Sequence, residues 1–270
     1  MLYFIFSKGE NIKRDFALDE ILNGQELKKE EILNMLLKRG GTLRLGIVDI
    51  DEHLERYVID QGYPVGIIEE EKDYVHPQYQ FQVLPFNFFE RDAKKVAKDL
   101  LGKLLVRKFG NDYIIGKIVE TEAYYGPEDP ASRAKKGKKE YNSPMWFRGG
   151  HIFIYMVHAN WMLNLTTDYD EAQAVLIRAV EPIAGIYLMR KRRKRKNIKE
   201  LCSGPGKLSQ SFYIHGNMNG QKIGDELFVA NSPWKGFEIK TSHRIGVSED
   251  VEEHLRFFIF PNEFVSRRPK

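Results

Sequence analysis

The sequence is poor in the features that staple a fold or anchor it in a bilayer. It has one cysteine, Cys202, in 270 residues. No intramolecular disulfide framework is available, and no Cys-x-x-Cys pair exists to hold zinc or an iron–sulfur cluster. Long apolar runs are also missing: Met1 to Phe6 ends at Ser7-Lys8, far short of the ~20 residues that cross a bilayer. The first residues lack the basic stretch and the length of a secretory signal. A membrane-spanning or secreted chain is therefore not expected, and an intracellular one is. Neither an internal repeat nor a low-complexity tract is found. What remains is 42% hydrophobic and 30% charged residues, enough to build one large domain, or a medium one with a small companion.

The net charge of +4 hides an asymmetry. Residues 1–80 carry ten Lys/Arg and sixteen Asp/Glu, whereas 81–270 carry thirty-two and twenty-two. Net charges of −6 and +10 predict different partners for the two parts, a polyanion for the second. The first part has its own hydrophobic pattern. Leu18 to Leu37 reads as two short amphipathic helices, Thr42 to Val48 as a strand, and Asp51 to Gln61 as a third helix. The acidic run Glu69-Glu70-Glu71 and a loop over 76–80 follow, and the boundary is set near residue 80.

Beyond Leu84 the pattern changes. Phe89, Ala93, Val96, Ala97, Leu100 and Leu101 recur at helical spacing, with Gly102 as the stop. Lys103 to Lys108 and Tyr113 to Thr121 flank the turn residues Gly110-Asn111-Asp112 and read as a hairpin. His151 to Val157 and Ala174 to Val180 read as strands, Pro182 to Lys196 as a helix, and another helix follows Pro205. Strands mixed with helices, without a regular βαβ repeat, predict an α+β domain.

Several segments carry chemistry. In Val119-Glu120-Thr121-Glu122-Ala123-Tyr124, a strand puts Glu120, Glu122 and Tyr124 on one face, and two acids so close need a cation or water. From spacing alone an exposed, solvated face is the favoured reading. Arg178 is the single charge in the apolar strand Ala174 to Ala179, so it needs a carboxylate partner such as Glu122, in a pair that could equally be structural. Tyr155 shares a strand face with Phe153 and by default is a core aromatic, while His158 and Asn164 flank a turn. Arg190 to Lys196 is seven consecutive cations, and Lys135-Lys136-Gly137-Lys138-Lys139 is a second cluster. A solvated helix end would explain one of them. Two on a basic domain favour nucleic acid. Ser203-Gly204-Pro205-Gly206-Lys207 is a loop opening a helix, able to offer N–H groups to a phosphate but lacking the Walker glycine spacing.

Together these segments resemble the alkyladenine (3-methyladenine) DNA glycosylase family, from about Leu84 to Arg268. The marks are Ala97-Lys98-Asp99-Leu100-Leu101-Gly102, the Glu120–Tyr124 segment, Gly126-Pro127-Glu128-Asp129, Leu176-Ile177-Arg178-Ala179, Ser203 to Leu208 and Arg244-Ile245-Gly246-Val247. The resemblance implies a compact α+β domain with a curved antiparallel sheet and no cofactor or metal. It implies a monomer acting on double-stranded DNA that contains modified purines, in the cytoplasm or nucleoid. Glu122 matches the catalytic carboxylate and Arg178 the arginine that helps hold the attacking water. Tyr124 and Tyr155 match the aromatics that sandwich a flipped base, and Asn164 an asparagine at the pocket floor. His158 takes the place of the usual Tyr wedge in a turn one residue shorter, and Arg133 replaces a base-contacting His. Lys139-Glu140-Tyr141-Asn142 replaces the usual Thr-Pro-Arg-Asn. Lys135, Lys136, Arg190, Arg192, Arg193 and Lys207 are the expected contacts to the DNA backbone. The expected activity is monofunctional hydrolysis of the N-glycosidic bond of alkylated or deaminated purines. The competing readings are a nucleic-acid-binding protein that has lost catalysis, suggested by Arg133 and His158, and a small-molecule hydrolase using Glu122.

Overall fold

The computed structural model describes residues 66–69, 72–75, 81–109, 112–168, 171–224, 226–232 and 236–267. The helices and strand expected over 18–61, and the turn at Gly110-Asn111, lie outside the described residues. Within the acidic segment, strands β1 (Gly66–Glu69) and β2 (Lys72–Val75) pair antiparallel, Glu69 opposite Lys72. The sequence reading placed no strand there.

The remaining strands form one eight-stranded antiparallel sheet: β3 (Leu104–Phe109), β4 (Asp112–Tyr124), β5 (Ile152–Val157), β6 (Asn160–Thr166), β7 (Ala174–Ala184), β8 (Leu227–Ala230), β9 (Glu238–Ser242) and β10 (Arg256–Phe260). Among the described residues three α-helices accompany it: α1 (Ala93–Asp99), α2 (Ile186–Arg193) and α3 (Pro205–Ser211). The curled sheet with helices is the α+β architecture expected.

Strand β4 is the hub. Its 13 residues outlast any single neighbour. One edge pairs with β7 along most of its length, while the other is shared by β3 near its start and β10 near its end. The last turns of β4 are thus enclosed on both sides, which buries whatever their side chains carry. Helix α1 starts where Asp92 accepts from Lys95 N at 3.1 Å, and it buries Ala93, Val96 and Ala97. It is fastened to β4 by the Thr121 hydroxyl, which donates to Ala97 O at 2.8 Å.

The helix expected from Pro182 begins later. β7 continues through Pro182 to Ala184 with every residue buried, and α2 covers only Ile186–Arg193. Proline fits an extended strand where its missing N–H is not needed. The break falls at Gly185, whose φ of 74° and approach to Tyr113 O (2.6 Å from a Cβ placed there) admit only glycine. Asn164 lies inside β6 rather than beside a turn.

The segment from Phe81 belongs to this unit. Phe81 packs against Tyr113 and Phe228, and Leu84 N donates to Val229 O at 2.8 Å. If the division near residue 80 is right, a chain starting at Gln80 should fold with one cooperative melting transition. In it, Phe81→Ala should cost about 1–2 kcal/mol, less than a fully enclosed Phe. Failure of the shortened chain to fold would make the first eighty residues part of the core.

Candidate active site

The site grows out of an irregularity in the β4–β7 pairing. Ile118 is opposite Val180, Glu120 opposite Ala179, and Thr121 opposite Ile177. Val119 and Arg178 are therefore the extra residues of adjacent bulges, a local device that re-aims side chains. Arg178 lands between two wholly buried acids. Its Nε donates to Glu120 Oε1 and its Nη1 to Glu122 Oε2, both at 3.1 Å. Arg256 Nε donates to the same Glu120 oxygen at 2.7 Å, and Ser266 clamps Glu120 with its backbone N–H at 2.5 Å and its hydroxyl at 2.8 Å. Two carboxylates and two guanidiniums make this buried cluster neutral, as charges without water around them require.

Glu122 has two further donors. The Tyr124 hydroxyl donates to Oε2 at 2.8 Å and Ile245 N to Oε1 at 2.7 Å. Burial pushes the Glu122 carboxyl above its ordinary 4.5, although Arg178, Ile245 and Tyr124 pull the other way. For Arg178, burial acts against the charged form, but its two glutamates prevail and hold its pKa above the usual value. Burial and the Glu122 charge push the Tyr124 phenol well above 10, so it stays a donor.

A second lock sets the loop after β9. Arg244 is buried and grips Asp129 with two bonds, Nη1 to Oδ2 at 2.6 Å and Nη2 to Oδ1 at 2.7 Å. It also donates to Ala123 O at 3.0 Å and to Asp250 Oδ1 at 2.8 Å, with its guanidinium 4.6 Å from the Tyr124 ring centre. Burial alone would raise Asp129, but the Arg244 bonds and charge hold it below its ordinary value. This places Ile245, whose N–H meets Glu122 and whose carbonyl accepts from Arg178 Nη1 at 3.4 Å. Arg244, Asp129, Asp250, Arg256 and Ser266 were not among the expected site residues. Four of the five are charged residues or partners in segments far from Glu122 in sequence. The signal available was that Asp129 and Arg244 both stand in motifs that carry the family resemblance.

Above this cluster opens a cavity of about 360 Å³. Tyr124, Arg178 and Ile245, the three donors to Glu122, line it, as do Tyr155, Arg133, Lys135 and His158. Glu122 itself lies one layer beneath. Tyr155 is tilted against Phe153 at 5.3 Å, and the Arg133 guanidinium sits 4.4 Å from the Tyr155 ring centre. Burial raises the Tyr155 phenol while Arg133 opposes it. His158 and Ala159 form the two-residue tip of the β5–β6 hairpin, with φ of 45° and 59°. That conformation matches the twist of the strands but is costly for residues other than glycine. Asn160 Nδ2 braces it by donating to His158 O at 2.7 Å. The structure thus brings seven expected residues to one place: Glu122, Arg178, Tyr124, Tyr155, Arg133, His158 and Lys135.

Others stand apart. Asn164 is buried and gives its amide to Phe153 O and Met162 O, both at 3.1 Å, without lining the cavity. Lys136 is exposed on the neighbouring loop. Lys207 lies in α3 and donates to Ser203 Oγ at 3.3 Å. Arg190, Arg192 and Arg193 are on α2, where Arg190 Nε donates to Lys196 O, Arg192 Nη1 to Ser211 O, and Arg193 to Gln210. Burial lowers both Arg192 and Arg193, so these two serve the packing of α2 on α3. Among the described residues no group of three His, Cys, Asp or Glu could hold a metal ion, and no helix is long and apolar enough to cross a membrane.

Residues 87–263 match the family model described as methylpurine-DNA glycosylase. A protein of Natranaerobius thermophilus is 38% identical over 194 residues, covering 68% of this chain and 98% of its own length. One of Agrobacterium fabrum is 40% identical over 187 residues (68% and 93%), and one of Methanoculleus marisnigri 37% over 192 (68% and 99%). All three bear the name "Putative 3-methyladenine DNA glycosylase". With the match extending across the hub strand, the bulge, the hairpin and the Arg244 loop, this chain belongs to the methylpurine-DNA glycosylase family.

Proposed function

We propose that this chain hydrolyses the N-glycosidic bond of alkylated or deaminated purines in double-stranded DNA, after the damaged nucleotide is swung out of the helix, and leaves an abasic site. The observation that carries the reading is a single carboxylate, Glu122, held by three donors under a cavity walled by two tyrosines. A base inside a duplex cannot present its glycosidic bond to an enzyme, so it must leave the stack. Tyr124 and Tyr155 supply the faces on which it would stack, and His158, at the hairpin tip, would fill the space it left. Asn164 would act from below the cavity by fixing the β5–β6 backbone.

Breaking the C1′–N bond leaves positive charge on the sugar. A buried carboxylate stabilises such charge far better than a solvated one, because no water competes. An ionised carboxylate offers about four acceptor positions, and three are taken here. The open one on Oε1 suits a water, which Glu122 would orient toward C1′ and from which it would accept a proton. A cationic base leaves neutral, and a neutral base leaves as an anion that takes up a proton from solvent. Arg178 keeps the carboxylate ionised and aimed. No lysine is needed for this hydrolysis, in keeping with a monofunctional enzyme. Lys135, Lys136, Arg190 and Lys207 would meet the phosphates, with Arg192 and Arg193 adding their charge from the packed side of α2.

Arg133 bears on which base is chosen. A guanidinium only donates hydrogen bonds, and beside a base that already carries positive charge it is repulsive. Neutral bases with an acceptor edge, hypoxanthine being the simplest, should be favoured. The test is base release from duplexes carrying 3-methyladenine, 7-methylguanine, hypoxanthine or ethenoadenine. Release of free base with abasic sites is expected, and Arg133→His should shift the ratio of rates toward the cationic bases. Tight binding with no release from any duplex would favour the non-catalytic reading instead.

The raised Glu122 pKa sets a pH dependence. Activity needs the ionised form, so it is lost as pH falls through the folded-state pKa. That value lies above 4.5, and the acid limb of log(kcat/KM) should therefore have its midpoint above 4.5. Arg178→Gln removes the opposing charge and should move the limb to higher pH. A midpoint at or below 4.5 would assign the limb to another group.

A further inference from the structure

The β5–β6 hairpin is a blade with a different surface on each side. Strand alternation puts Tyr155, Val157 and Met162 on the face that lines the Glu122 cavity. Ile154, Met156 and Trp161 point the other way and line a second, open cavity of about 690 Å³. Tyr155 and Arg133 border both. The far walls of this groove are Tyr141 and the turn around Gly216 and Asn217.

Its chemistry is that of a base site rather than of a packing defect. Three aromatic side chains line it, Met156 is 51% and Tyr141 45% exposed, and no acidic residue is present. The Asn217 amide and the Trp161 indole N–H have no hydrogen-bond partner among the described residues, so both are available to a ligand. Trp161 is held in place: a Cβ on Gly216 would lie 2.7 Å from its ring. Asn219 fixes the other wall, accepting from Ile154 N at 2.8 Å and donating to Tyr141 O at 3.1 Å. Met156 and Trp161 face each other one register pair below the turn-closing pair Val157 and Asn160. At about 3.3 Å per residue they stand roughly 7 Å from the tip.

We propose that this groove receives the orphaned base of the opposite DNA strand, the partner left unpaired when the damaged purine enters the Glu122 cavity. The inference rests on the function proposed above. A tip that enters the duplex between the two bases puts one base on each face of the blade. Each face then offers rings to stack on, Tyr124 and Tyr155 on one side, Trp161 and Tyr141 on the other. Stacking on aromatic side chains tolerates any base, as a reader of damage must when the undamaged partner varies. The Asn217 amide supplies hydrogen bonds to its edge, and the absence of carboxylates suits the approach of a polyanionic strand.

The test is photo-crosslinking with 5-iodouracil placed opposite hypoxanthine in a short duplex, bound by the full chain carrying Glu122→Gln. The groove predicts adducts on Tyr141 or Trp161, with yield falling at least fivefold when the iodouracil is moved one position to either side. Tyr141→Ala, at an exposed position, should weaken binding roughly 5- to 100-fold when a base stands opposite the lesion. It should leave binding unchanged when the opposite position is abasic. Adducts confined to residues 157–160, adducts elsewhere, or none at all would overturn the second site. Base release by the unaltered chain from the same duplex is measured in parallel. Release without groove adducts overturns this inference alone, whereas no release overturns the proposed function on which it rests.

Discussion

The structure depends on surrounding two buried carboxylates with enough donors to replace the solvent they lose. Glu122 sits wholly buried, and its charge survives only because Arg178 lies against it and because Ile245 and Tyr124 donate to it. Arg178 in turn would be an uncompensated cation without Glu120, and Glu120 is shared with Arg256 and clamped by Ser266. Each partner is set by a different element: the β7 bulge, strand β10, the loop after β9, and the segment that follows β10. Removing any one leaves a charge or a donor stranded in a low-dielectric interior, which costs more than the pair itself gains.

That arrangement works against the fold. The pKa of Glu122 is higher folded than unfolded. Its contribution to stability is therefore present at acid pH and is lost as pH rises through the folded value, because the ionised form is the one burial disfavours. On the function proposed above, the ionised form stabilises a cationic sugar, although the neutral form is the easier one to bury. A site that gives up stability for a poised charge is a common mark of function.

Much of this was legible because burial makes lone charges conspicuous. Arg178 in an apolar strand demanded an acid. Glu120 and Glu122 needed a cation or water and by spacing alone favoured an exposed, solvated face, which the structure overturns because both are wholly buried. The structure joins them. What could not be read was the bulge pair that turns Arg178 toward both acids, since an extra residue leaves no mark in a strand that is buried at every position. Arg244 was equally hidden. Its partners Asp129 and Asp250 lie at very different sequence separations, and only the folded sheet brings all three beside Tyr124. Asn164 was expected beside a turn. Its place inside β6, with its amide given to two carbonyls, follows from the hairpin register. The arginines of α2 read as one cationic block, yet burial separates them into packing and surface residues only once α2 meets α3.

The central claim is that Glu122 performs the chemistry and that its neighbours hold it ready. It is tested most directly by Glu122→Gln under single-turnover conditions, with duplex binding measured alongside. The amide keeps the size of the side chain and loses the charge. Its one acceptor oxygen serves either Ile245 N–H on one side or Tyr124 and Arg178 on the other. The account predicts base release abolished while the damaged duplex is bound as tightly as before or more so. Turnover near that of the unaltered chain would contradict it and direct attention to Glu120.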